Sequence, residues 1–158
     1  MREGKTQVAE QLEYKSSRPS RQQEAVVSML HATAYVRRFG AWVFEQHDIT
    51  SQQYNVLRIL RGAGPDGLPT LDIAERMIEQ TPGITRLLDR LEAKKLVRRE
   101  RPSDDRRQVL CYVTKAGLDL LSELDAPLKS QANQALRRLT DSDLDELIRL
   151  LELVRAEE

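Results

Sequence analysis

Thr70-Leu71-Asp72-Ile73-Ala74-Glu75-Arg76-Met77-Ile78-Glu79-Gln80-Thr81-Pro82-Gly83-Ile84-Thr85-Arg86-Leu87-Leu88-Asp89-Arg90-Leu91-Glu92-Ala93-Lys94-Lys95 is the stretch on which the fold turns. Leu71, Ile73, Ala74 and Met77 stand at helical spacing behind Thr70, a residue type that caps helix starts. A short helix is therefore expected to about Ile78, with those four residues buried. Thr81 repeats the start signal, and Pro82 occupies the first helical position that proline favours, so a second helix is expected to about Lys95. Ile84, Leu87, Leu88 and Leu91 fall on one side of it, and Pro82, Arg86, Asp89 and Arg90 on the other. Two helices joined by so short a turn form a helix-turn-helix, whose second helix is the usual reader of the DNA major groove. Antiparallel helix pairs with short turns also occur in all-helical cores, and this pattern alone leaves both open.

The residues that follow narrow the choice. Leu96 to Arg101 and Gln108 to Val113 are strand-length runs joined by Pro102-Ser103-Asp104-Asp105-Arg106-Arg107, a turn-rich link with a basic tip. A helix-turn-helix followed by a two-stranded hairpin is a winged helix; an ordinary solvated turn is the alternative for the tip itself. Upstream, Gly62 to Pro69 holds three Gly and two Pro and is expected to be a loop. No strand precedes it and no Lys-Ser/Thr pair follows, so it lacks the pattern of a phosphate-binding loop. Thr50 with Gln53 is a capping-box pattern ahead of Tyr54, Leu57 and Leu60, and Val26, Met29, Leu30, Thr33, Val36, Ala41 and Val43 mark a long first helix from Arg21 to about Gln46. Thr114 starts a helix with Leu118, Leu121, Leu124 and Leu128 as its stripe and Pro127 as a candidate kink. Thr140 with Asp143 opens the last helix, striped by Leu144, Leu147, Ile148, Leu151 and Val154. So apolar a terminal helix calls for a covering surface, either its own domain or a second subunit.

Composition sets the outer bounds. The chain has 158 residues, one domain's worth, 40% of them hydrophobic and 32% charged, with 25 basic against 25 acidic. That neutrality hides a gradient: residues 76–107 carry 10 basic and 6 acidic groups, whereas residues 114–158 carry 6 and 10. A local positive surface attracts a polyanion, although a solvated helix face has the same composition. One Cys and two His allow neither an internal disulfide nor a Cys/His metal centre, and His31 and His47 lie too far apart along one helix to share an ion. No metal and no cofactor is expected. Met1 to Ser20 lacks the apolar run of a signal peptide and no stretch is long and apolar enough to span a bilayer, so a cytoplasmic protein without membrane attachment is expected. No Ser/His/Asp or Cys/His constellation is ordered for catalysis, and no enzyme is expected.

Ile73-Ala74-Glu75-Arg76, Thr85 to Lys94, Leu96-Val97-Arg98-Arg99, Asp105-Arg106-Arg107 and Thr114-Lys115-Ala116-Gly117, taken in this order, closely resemble the MarR family of bacterial winged-helix transcription regulators. The resemblance spans about residues 22 to 157. It implies a mostly α, α+β winged helix of about six helices with a two-stranded β-hairpin wing. A flexible arm over residues 1–20 would precede a single domain over 21–158, with a DNA-binding lobe at about 50–113 and dimerisation helices at about 21–47 and 114–158. The function implied is sequence-specific transcription regulation by a homodimer on a pseudo-palindromic operator in double-stranded DNA, the repressor being released by a small aromatic or amphipathic effector; the bound form would be nucleoid-associated. Thr81, Pro82, Thr85, Arg86 and Arg90 would enter the major groove, Asp105, Arg106 and Arg107 a minor groove, and Lys94, Arg98 and Arg99 would meet the DNA backbone.

Tyr35, Phe39 and Trp42 would border the effector pocket, with a core or dimer role as their alternative, and Leu144, Leu147, Leu151 and Val154 would form the dimer seam. Some relatives sense peroxide through a cysteine, usually near the start of the first helix, whereas Cys111 falls in the second hairpin strand. Cysteine-based redox sensing and a protein-interaction winged helix stand as the alternatives. Many members carry Gly where this chain has Ile78 and Lys95. Gly83, inside the expected second helix, would cost about 1 kcal/mol relative to Ala and suit a close backbone approach to phosphate.

Overall fold

The computed structural model describes residues 20–79, 83–101 and 108–156. Six α-helices and three strands are found among them: α1 (Arg21–Gln46), α2 (Ser51–Ala63), β1 (Leu68–Pro69), α3 (Thr70–Arg76), α4 (Ile84–Ala93), β2 (Val97–Glu100), β3 (Leu110–Val113), α5 (Lys115–Ala135) and α6 (Asp141–Arg155).

Where the helix ends rest on bonds within a few residues, the expected signals hold. Thr50 accepts from the Gln53 N–H at 3.1 Å while its own N–H donates to Gln53 Oε1 at 3.0 Å, closing the capping box of α2. Thr140 and Asp143 make the same reciprocal pair at the start of α6. Helix α1 ends in a Schellman turn, Ile49 N–H to the Phe44 carbonyl and Asp48 N–H to that of Glu45, which puts Asp48 at φ +50°. Helix α4 ends identically: Leu96 N–H bonds the Leu91 carbonyl at 3.0 Å, Lys95 N–H bonds that of Glu92 at 2.8 Å, and Lys95 sits at φ +59°. A left-handed position at a helix end is one that glycine fills without strain. The turn makes Ala93 the last residue of α4, two short of the expected end.

Several expectations need correction. Leu68 and Pro69, expected in a loop, pair with Cys111 and Leu110, so the sheet is three-stranded in the order β1-β3-β2 and not a two-stranded hairpin alone. Proline is tolerated there because β1 is an edge strand. Gly62 lies within α2, which runs to Ala63. Thr70 does not cap α3 but opens it; its N–H donates to the Val109 carbonyl at 3.2 Å, tying the helix start to the wing. Leu71, expected in the core, is 75% exposed, because only Ile73 and Met77 of that set turn fully inward. Leu118 is exposed as well, while Leu121 and Leu124 carry the buried stripe of α5. Gly83 is not inside the second helix. It precedes it at φ +103°, a conformation that disfavours any Cβ, so the glycine serves the turn at no helical cost.

The chain divides into two compact units, one of residues 40–134 and one of the described residues before and after them. Every buried hydrophobic residue among the described ones, Val43 to Leu124, belongs to the first unit, where Leu57, Leu60, Ile73, Leu88, Leu91, Leu121 and Leu124 are almost wholly enclosed. Each such side chain contributes about 1.5–3 kcal/mol by burial. In the second unit, Val26, Leu30, Tyr35 and Val36 of α1 and Leu147, Ile148, Leu150, Leu151, Leu153 and Val154 of α6 are all exposed.

Candidate nucleic-acid interface

Helix α4 has one apolar and one polar side. Leu87, Leu88 and Leu91 are buried against the core, Ile84 is half-buried, and Thr85, Arg86, Asp89 and Arg90 are exposed. Arg86 and Arg90 have no ion-pair partner among the described residues. An exposed guanidinium has the fork of donors that matches a guanine edge or a phosphate. Thr81, Pro82, Asp105, Arg106 and Arg107 lie outside the described residues. The turn ahead of α4 is held on α2, where Asn55 Oδ1 accepts the Ile78 N–H at 3.0 Å.

The basic residues that follow are engaged within the protein. Arg99 of β2 reaches back to two carboxylates of α4, Asp89 at 2.7 Å and Glu92 through Nε at 2.9 Å. Its hydrogen bonds hold the Glu92 carboxyl below the usual carboxylate range, ahead of the opposing desolvation. Arg99 therefore binds the wing to α4. Arg98 stacks over the Tyr112 ring at 4.0 Å and pairs with Glu100, which leaves its charge on the surface of the sheet. Lys94 Nζ donates to Asp48 Oδ2 at 2.7 Å and also to the Asp48 carbonyl oxygen.

The remaining candidates divide. Tyr35 and Phe39 meet edge to face at 4.9 Å between ring centroids, whereas among the described residues no ring contact joins Trp42, which is 57% exposed. Cys111 is fully buried, and burial pushes its thiol up against the smaller opposing effect of the Thr70 hydroxyl, so the reactive thiolate is disfavoured. His47 Nδ1 lies 2.9 Å from the Val43 carbonyl oxygen, and no group of three or more potential ligands occurs among the described residues. No helix among them is long and apolar enough to cross a membrane.

Sequence reading missed the contacts that fasten α4 at both ends: Asn55 before it, and Asp48 and Thr114 after it. Asp89 and Glu92 stand one helical turn apart on α4, but only the packing of β2 against that helix brings Arg99 to them.

A helix-turn-helix backed by a small antiparallel sheet defines a winged helix, and the comparisons agree. The sequence model of the MarR family matches residues 49–109. A crystal structure of a MarR transcription factor from Planctomyces limnophilus is 40% identical, with 85% of this chain and 98% of that one covered and a TM-score of 0.67. The homoprotocatechuate degradative operon repressor of Escherichia coli is 27% identical over 126 residues, 80% of this chain and 84% of that protein. A mutant MarR of E. coli complexed with operator DNA, 23% identical with 84% and 94% covered, shares the fold at a TM-score of 0.74. This chain belongs to the MarR family and is a transcriptional regulator of the winged helix-turn-helix class.

Proposed function

We propose that the chain is a sequence-specific operator-binding repressor that works as a homodimer in the cytoplasm. The observation that carries this reading is the outward side of α4, where Thr85, Arg86 and Arg90 are exposed and both arginines lack an ion-pair partner among the described residues, opposite the buried Leu87, Leu88 and Leu91. A relative of the same fold is complexed with operator DNA, and another is named as an operon repressor. Arg86 and Arg90 read bases, Thr81 and Pro82 lead the helix into the major groove, and Asp105, Arg106 and Arg107 serve a minor groove. The dimer brings two such helices about one DNA turn, roughly 34 Å, apart, which makes the operator pseudo-palindromic. Support for the dimer comes from the apolar residues that α1 and α6 leave exposed.

The test is a salt titration of wild type and Arg86→Ala against a duplex that the wild-type protein enriches from a randomised pool, and against scrambled DNA. Arg86→Ala is expected to cost about 1–3 kcal/mol on the enriched duplex and far less on scrambled DNA. Equal losses on both would remove Arg86 from base reading. Release by a small aromatic or amphipathic effector is supported by the Tyr35 and Phe39 rings and the exposed Trp42 on α1. Such a ligand acts only through its differential affinity for two states of the protein. A panel of aromatic acids that leaves Trp42 fluorescence and operator affinity unchanged would overturn that part.

A further inference from the structure

The turn that ends α4 is gripped from two directions. On one side Lys94 reaches Asp48, the residue that closes α1, through the Oδ2 atom at 2.7 Å and through the carbonyl oxygen. On the other, Thr114, which opens α5, makes three bonds at once: its N–H donates to the Leu96 carbonyl at 3.0 Å, its hydroxyl donates to the Lys95 carbonyl at 2.7 Å, and the same hydroxyl accepts the Gly117 N–H at 3.1 Å. Gly117 makes this approach possible. A Cβ there would collide with the Leu96 carbonyl oxygen and stand 2.7 Å from Val113 Cγ2. Residues 94–96 are thus where the end of the recognition helix meets Asp48, just past α1, and Thr114, just ahead of α5, all within the unit of residues 40–134.

We propose that Asp48 and Thr114 are positioning residues for operator reading, fixing the direction of α4 by its C-terminal turn. The inference rests on the DNA-reading role proposed above. A helix of ten residues is about 15 Å long, so a tilt of about 10° at its C-terminal end carries its first turn through roughly 2–3 Å. That is enough to break a base contact, since a hydrogen bond is lost within a few tenths of an ångström of its limit. Phosphate attraction tolerates such a shift. Loosening the grip should therefore lower specificity and leave general DNA affinity intact. Lys94, on this account, spends its charge on Asp48 and not on phosphate.

The test uses the full-length dimer, the duplex that wild type enriches from a randomised pool, and scrambled DNA. Thr114→Val keeps the side chain's shape and removes both hydroxyl bonds; it is expected to lose about tenfold on the enriched duplex, the value of one good hydrogen bond, with scrambled DNA unaffected. Thr114→Ser should restore binding. Asp48→Gly keeps the left-handed backbone and removes the carboxylate, so it remains informative where Thr114→Val fails to fold, and a smaller loss in the same direction is expected. An unchanged ratio of the two affinities in the folded variants would overturn the proposal. So would an Asp48→Gly protein that binds both DNAs more tightly, because Lys94 would then be a phosphate contact that Asp48 masks. Wild type that enriches no duplex would instead sink the DNA-reading role itself, and the inference with it.

Discussion

Lys95 is the residue at which local chemistry and fold disagree most plainly. Its φ of +59° is imposed by the Schellman turn that ends α4, and a Cβ in that region costs about 1 kcal/mol that glycine does not bear. Lys95→Gly should raise stability by about 0.5–1 kcal/mol, since the added freedom of the unfolded chain offsets part of the gain. Thermal melts of the two proteins check this, and a lower Tm would contradict it. Gly83 is the converse case. At φ +103° it has open space around it but no allowance for a side chain, so Gly83→Ala should destabilise by about 1 kcal/mol or more on backbone grounds alone. Cys111 also belongs to this scale: a fully buried thiol whose pKa is pushed up should react with peroxide and alkylating reagents only as fast as the native fold opens. Modification of native protein at the rate of a free thiol would reopen the redox reading.

At the scale of elements, the wing and the recognition helix are one mechanical piece because Arg99 of β2 holds Asp89 and Glu92 of α4. The Glu92 carboxyl is depressed in the folded state below its ordinary value of 4.5. Its contribution is complete above that value and disappears as pH falls through the lower folded one. Glu92 is partly solvated, which discounts the energy, yet the sign is definite. Urea denaturation between about pH 5 and pH 3 should show a steeper loss for wild type than for Glu92→Gln. Parallel pH slopes would deny Glu92 this role. The start of α5 makes a second element-scale prediction. Gly117→Ala drives a methyl into the Leu96 carbonyl and should cost about 1–3 kcal/mol of stability by urea denaturation. Gly62→Ala, in α2 with nothing within 4 Å, should instead gain about 0.5 kcal/mol from helix propensity.

For the whole molecule the decisive fact is the uneven placement of apolar surface. The unit of residues 40–134 holds the entire buried core among the described residues, while α6 buries none of its residues and exposes Leu147, Ile148, Leu150, Leu151, Leu153 and Val154. So large an apolar face is the mark of an interaction surface. On the dimer proposed above, Leu147→Glu with Leu151→Glu should give a monomer by sedimentation and abolish operator binding, because each new charge would be desolvated in a seam formed by α6. Wild type sedimenting as a monomer at micromolar concentration would remove the dimer from the account. The sequence alone determined the helices whose ends rest on neighbours three or four positions away, Thr50 with Gln53 and Thr140 with Asp143, together with the apolar stripe of α4, since these are local hydrogen bonds and a helical period. Only the tertiary structure decided that Leu68 and Pro69 form a strand, that Leu71 faces outward, and that Lys94 and Arg99 turn to Asp48, Asp89 and Glu92. A two-residue strand has no period to read, and Leu68 finds its partner Cys111 far along the chain. The pairing of a lysine with Asp48 likewise depends on which helix ends the packed core brings together, and no spacing in the sequence records that.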